Sequence, residues 1–590
     1  MAPSDPHSYS DLSQGRIKRI DFDIAVDFAS RTLRVRADYQ LEAPVSGDFF
    51  LDSRGVSLTG VSSGGVPVRF ELDAQDPILG ERLCLKNLEN ADGFTIELNT
   101  SPAASALQWL EPQQTAGGVH PFLYSQCQAL HARSLFPCQD TPSVRFTYGA
   151  RLRVPRHLAA VMAAASTGVT EQGEAKICSF SMPQPIPSYL FALAVGDLRF
   201  KELGPRTGVY AEPSVLEAAA WEFAENERKV EEAERLFGPY LWDRYDLLIM
   251  PPSFPYGGME NPRLSFITQL AVLGTRERTA LISHELAHAW TGNLVTNATW
   301  EDFWLNEGWT TYAEYRLSQA LEGVEVTHLM DLYARNRMRE QIKRLGETSE
   351  RTCLKASMKG VDPDEAVSTI PYTKGRLFLQ SLERAAGRET FDVFIHKYIS
   401  RHSFHSLSTE GFIVFLEQEL PAACERVDIH TWLYHPGYPE DAPPVTSGLT
   451  EEVAARAGAY ERGILPTRED VKDWHYLQTG VFLDMLPRQI PPEHCRYLEE
   501  VFDFERVRNA TLLMLFYPLC IRSGYREILP EVERFAEEVG NFTVLKPVYR
   551  ALVQNDWSRE LARPLFERVR ERYHPITAAM LESVLTEGGV

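Results

Sequence analysis

His284, Glu285 and His288 stand in the order His-Glu-Leu-Ala-His, and Glu307 follows nineteen residues after the second histidine. This spacing dictates the local backbone. Histidines four residues apart share one face of a helix, one turn apart, and there two neutral imidazoles can close on a single ion. With a carboxylate as third ligand and a fourth position left open, the donor set is that of a catalytic Zn2+ and not of a structural one. Glu285 lies on the shoulder of the same face, where it reaches a water at the ion without ligating the ion. The flanking residues agree with a helix. Residues 279–283 contain no breaker, Leu281, Ile282, Leu286 and Ala289 make one side apolar, and Gly292 and Asn293 offer a stop. The stretch from Trp300 to Glu307 predicts a second helical segment that returns the carboxylate. The competing reading is an amphipathic surface helix that carries two histidines and a glutamate by coincidence.

Such a motif needs a sizeable scaffold, and 590 residues are enough for about three or four ordinary domains. Residues 15–205 read as strands: Ile20 to Phe28 and Thr32 to Tyr39 alternate apolar and polar with period two, and Gly64-Gly65, Asp76-Pro77 and Gly117-Gly118 punctuate the region. From about residue 210 the pattern turns helical, beginning with a long amphipathic segment from Val215 to Phe237 that Gly238-Pro239 ends. A proline-rich stretch from Pro436 to Gly448 reads as a linker, and the remainder has helical period almost throughout. The expected class is a multidomain α+β protein. An antiparallel β domain spans residues 1–207, an α/β catalytic domain 208–435, a linker 436–448, and a domain of stacked helix pairs 449–590.

A net charge of −21 speaks against nucleic acid as a partner. The eight cysteines are scattered, with no Cys-x-x-Cys, which predicts reduced thiols in a cytoplasmic protein. The first residues lack the charged and apolar regions of a secretory signal. No apolar run approaches the roughly 20 residues that span a bilayer, so no membrane partner is expected.

Upstream of the motif, Tyr256-Gly257-Gly258-Met259-Glu260-Asn261 pairs two glycines that permit close backbone approach with a carboxylate that can receive a cation. Taken alone this is a surface turn. Taken with His284 to His288, Asn306-Glu307, Trp290 to Asn297, Gln126 to Ala129 and Pro137 to Ser143, it resembles a gluzincin metallo-aminopeptidase. Within that family it looks like the branch of leukotriene hydrolase and aminopeptidase B, and like a bacterial-type relative that acts on peptides only.

The resemblance implies a thermolysin-like catalytic domain, a HEAT- or armadillo-like C-terminal domain, and a monomer that acts on short peptides with a free N-terminus. It implies one Zn2+ per chain on His284, His288 and Glu307, with Glu285 as general base. Glu260 and Gln128 would bind the α-amino group. Gly257, Gly258 and Met259 would line the substrate strand, Glu314 would orient a ligand, and Tyr372 would donate to the oxyanion. The chain also departs from the branch. Val367 and Glu365 stand where a tyrosine and an aspartate precede the catalytic tyrosine, which counts against the alternative of a leukotriene-type epoxide hydrolase. An acid at Glu365 would instead bear on the first side chain of a peptide. Asn541 and Thr543 stand where the branch has an Arg-x-Lys for a substrate carboxylate, and a neutral pair supplies no charge-assisted bonds.

Overall fold

The computed structural model describes residues 5–276, 279–366 and 368–589. The N-terminal domain is built on a nine-stranded sheet whose long members, Thr32–Ser53 and Glu81–Asn99, pair antiparallel. The alternation in the first strand, Ile17–Asp27, puts Ile20, Phe22 and Ile24 in the core. One pair departs from the antiparallel expectation. Ile17–Asp27 runs parallel to Arg145–Pro155, with Arg19 opposite Thr147 and Ala25 opposite Arg153. The two strands are far apart in sequence, so no hairpin imposes opposite directions. A four-stranded sheet packs beside it, and Phe22, Phe136, Tyr148 and Phe191 join ring to ring between them.

The central domain has a five-stranded sheet with one functional edge. Its order is Arg199–Glu202, Thr207–Ala211, Tyr245–Ile249, Leu264–Ile267 and Gly258–Met259. The first of these strands lies before residue 207, so this sheet begins earlier than the composition shift near 210 indicates. Gly258–Met259 is the edge strand, antiparallel to Leu264–Ile267. The segment expected as one helix from Val215 to Phe237 is two, Leu216–Glu222 and Asn226–Phe237, and Gly238 at φ +97° ends the second. Two further helices, Thr279–Ala287 and Trp304–Glu322, pack on each other beneath the edge strand.

From Gly448 onward the chain is helical. Gly448–Glu461, Tyr476–Met485, Ala510–Arg522, Phe542–Gln554 and Pro575–Glu587 stack in succession, and Pro492–Val501 and Arg559–Val569 pack against that stack. This domain has its own apolar core, to which the central domain contributes Leu329 from the helix Val324–Leu345. The linker is an anchored strap: the main-chain carbonyls of His435 and Gly437 accept from Lys374 Nζ, and Asp441 accepts from Trp432 Nε1. Among the described residues no helix is long and apolar enough to cross a membrane.

Candidate active site

The helix Thr279–Ala287 carries His284 and Glu285, and the i−4 bond from His288 N to His284 O (3.2 Å) keeps His288 in helical register just past its end. The two Nε2 atoms face each other at 3.3 Å. Glu307, in the first turn of Trp304–Glu322, brings Oε2 to 3.4 Å from His284 Nε2 and 3.6 Å from His288 Nε2. A cation held tetrahedrally at about 2.0–2.2 Å keeps its ligand atoms about 3.3–3.6 Å apart, so these three atoms fit three corners of a zinc site. Glu307 Oε2 is buried and has no hydrogen-bond partner among the described residues, an expensive state for a carboxylate that a cation relieves.

The outer ring nitrogens are also engaged. His284 Nδ1 donates to Glu314 Oε2 (3.0 Å), as expected for an orienting carboxylate, and His288 Nδ1 donates to Thr291 O (3.1 Å). Each bond fixes the tautomer that leaves Nε2 bare for a metal. Thr310 Oγ1 also meets His288 Nδ1 at 3.1 Å and donates to Thr291 O. Burial drives the pKa of His288 down to about 3, which keeps it a neutral ligand. Burial opposes charge on His284 too, but the carboxylates of Glu307 and Glu314 on either side outweigh it and raise its pKa.

Glu260 and Glu285 complete a crowded acidic pocket. Ligand atoms of Glu260, Glu285 and His288 all lie within 4.8 Å of one another. Burial, then the charges of Glu307 and Glu285, pushes the Glu260 carboxyl well above the usual carboxylate range, and burial pushes Glu285 up to about 8. Gln128 Nε2 donates to Glu260 Oε1 at 3.5 Å, and Asn293 Nδ2 fixes the Glu260 carbonyl at 2.7 Å. Met259 is buried, its sulfur accepting from Gln126 Nε2. Gly258 rests directly on the side chain of Glu285, whereas Gly257 has room around it.

Tyr372 lies in a π-helical turn, Ile370–Lys374, whose second residue is Pro371. Its ring stacks on that of His284 (6.1 Å, 21°), and its phenol faces the Glu307 carboxylate. Burial first, then the charges of Glu307 and Glu260, raises its pKa well above the ordinary value.

Val367 lies outside the described residues. Glu365, expected to line the pocket, is exposed; Asp364 beside it is exposed too, but reaches across to the segment that carries Gln128. The amides of Glu365 and Ala366 both bond back to Asp362 O, so the segment makes one tight turn and adjacent side chains diverge. Asp364 accepts from His131 Nε2 (2.6 Å) and from Ala129 N (3.3 Å), next to Gln128. Sequence reasoning passed over Asp364 because Asp-Pro-Asp-Glu does not say which acid meets a partner. Asn541 is buried: its Oδ1 accepts from Thr543 N and its Nδ2 donates to Tyr256 O (2.9 Å), so it clamps the glycine segment.

Two histidines and a glutamate converging in zinc geometry, with a carboxylate beside them and an open edge strand above, define a metallopeptidase of the HExxH class. Comparison with known proteins agrees. The peptidase family M1 domain matches residues 221–432, the family's N-terminal domain residues 29–190, and the leukotriene A4 hydrolase C-terminal domain residues 474–585. Leukotriene A-4 hydrolase of Xenopus laevis is 36% identical over 600 residues, covering 98% of each chain. Leucine aminopeptidase 2 of Pyricularia oryzae is 35% identical over 608 residues, covering 99% of this chain and 98% of that one. The solved structure of yeast LTA4 hydrolase in complex with bestatin matches with a TM-score of 0.92 at 32% identity, over 99% of this chain and 97% of that one. The chain belongs to peptidase family M1, in the leukotriene A4 hydrolase and aminopeptidase branch, and is a zinc-dependent aminopeptidase.

Proposed function

We propose that the enzyme releases single N-terminal residues from short peptides with the residues gathered here. His284, His288 and Glu307 hold the zinc, which when bound polarises the scissile carbonyl and eases ionisation of a water. Glu285 takes the proton of the attacking water and delivers it to the leaving amine. Tyr372 is held protonated and donates to the developing oxyanion. Glu260, with Gln128, receives the α-ammonium group. Gly257 and the edge strand Gly258–Met259 pair with the substrate backbone, as an open sheet edge does with an extended peptide.

The observation that carries this reading is the charge balance of the pocket. Three buried carboxylates, Glu260, Glu285 and Glu307, stand together with no basic side chain paired to Glu260 or Glu285 among the described residues. A divalent ion and one ammonium group balance all three once ionised, whereas a peptide without a free amino terminus leaves Glu260 protonated and without its charged partner. Purified enzyme therefore cleaves aminoacyl p-nitroanilides, loses this activity to a chelator and regains it with zinc. It discriminates against N-acetylated substrates by at least about 100-fold, in line with the cost of a lost buried charge pair. Equal rates on free and acetylated substrates would remove Glu260 from this role.

Asp364 favours one secondary reading. Its carboxylate is tied to the segment that carries Gln128, the kind of acid that opening of a lipid epoxide would need to orient water, and product analysis with an epoxide fatty acid decides it. A cytoplasmic monomer without nucleic-acid or membrane partners is the setting we infer, supported by eight free cysteines and an acidic surface.

A further inference from the structure

Lys374 closes the turn that carries Tyr372, and its side chain is 1% exposed. Its Nζ donates to three main-chain carbonyls, those of Thr352 (2.9 Å), His435 (2.8 Å) and Gly437 (3.2 Å). An ammonium group has three protons and no lone pair, so three converging carbonyls use it fully. Burial lowers its pKa to about 8, as follows when a charge is met by dipoles alone.

The acceptors belong to two segments that are themselves cross-tied. Gly437 N donates to Thr352 Oγ1 (2.8 Å), Lys355 N to Leu433 O (2.9 Å), and Cys353 Sγ to Tyr434 O (3.2 Å). On its other side the turn abuts the helix of Glu307. There Gly308 and Gly375 meet so closely that a Cβ on Gly308 would stand 2.9 Å from Gly375 Cα and from Pro371 O. The turn is thus gripped between the helix that supplies a metal ligand and the strap that leads to the C-terminal domain. A π turn closes fewer of its own bonds in the usual register than an α-helix does, and outside contacts must fix it.

We propose that Lys374 is a positioning residue: through its three carbonyl contacts it holds the Ile370–Lys374 turn so that the Tyr372 hydroxyl stands over the metal site beside Glu307. The proposal rests on the role given above to Tyr372. It is tested by a double-mutant cycle of Lys374→Met and Tyr372→Phe, reading kcat, KM and bound zinc on an aminoacyl p-nitroanilide.

Lys374→Met alone lowers kcat about 100-fold, the effect of a misplacement on the order of 1 Å. KM stays within about twofold and zinc remains at one per chain. In the Tyr372→Phe background the same substitution lowers kcat by less than about twofold, because the group through which it acts is gone. A full loss repeated in that background, or a change in KM alone, overturns the proposal and leaves the role of Tyr372 intact. A Tyr372→Phe enzyme with normal kcat overturns both. If Lys374→Met does not accumulate folded, Lys374→Arg enters the same cycle with the same expectation, since a planar guanidinium cannot meet three carbonyls that converge on one point.

Discussion

A methyl group on Gly258 would stand 2.2 Å from Glu285 Oε1 and 2.5 Å from its Cδ. The glycine is therefore required less for backbone freedom than for the space in which the base sits. On Gly257 the same atom meets only Leu281 Cδ1 at 3.7 Å, an ordinary contact. Gly258→Ala is expected to displace Glu285 and lower kcat/KM by about 100-fold with zinc retained, whereas Gly257→Ala costs far less. Steady-state kinetics on the pair checks this, and equal losses would show that the collision is not the cause. At this scale the sequence was informative where chemistry repeats with helical period. His284, His288 and Glu285 follow from spacing alone. Asp364 does not, because a turn of four residues sends neighbours in directions that composition cannot rank.

The helix Trp304–Glu322 shows what a single element contributes. Glu307, Thr310 and Glu314 recur at three and seven residues along one face. In the proposed site they serve as a metal ligand, a partner of His288 Nδ1 and the acceptor for His284 Nδ1. One rigid rod thus sets the third ligand and steadies both of the others. Glu314→Gln removes the charge that raises the basicity of His284, and zinc affinity falls by roughly 10- to 100-fold. Competition with a chromophoric chelator measures this; unchanged affinity would reduce Glu314 to packing. The heptad step from Glu307 to Glu314 was legible in the sequence. The contact of Gly308 with Gly375 was not, since two isolated glycines 67 residues apart carry no mark of facing each other. The parallel pairing of Ile17–Asp27 with Arg145–Pro155 was hidden for the same reason: alternation reveals which face of a strand is buried, not which strand lies beside it.

Across the whole molecule, the C-terminal helices reach the catalytic cleft by a route that no sequence pattern marks. Gly540 packs so tightly on the loop before the glycine pair that a Cβ there would meet Pro252 O at 2.6 Å. Thr577 Oγ1 holds the Gly540 carbonyl at 2.8 Å, and Ser253 Oγ holds Gln114 O at 3.0 Å. Asn541 sits at the centre of this junction. It caps the helix Phe542–Gln554 through Oδ1 and grips Tyr256 O through Nδ2, one residue before Gly257. A position that motif comparison reads as a lost carboxylate receptor is therefore occupied by a clamp between domains, and the clamp acts on the strand that aligns the peptide. Asn541→Ala removes a cap worth about 1 kcal/mol and frees Tyr256 at the same time. The expected result is a drop in melting temperature together with a rise in KM for peptides of three or more residues. kcat should change less, because Glu285, Tyr372 and the metal ligands stand on other elements. Thr543→Ala leaves both Asn541 bonds in place, since only the Thr543 main-chain amide is used, and serves as the control. A lower melting temperature with KM unmoved in Asn541→Ala would mean that the helical domain stabilises the enzyme without shaping its substrate strand.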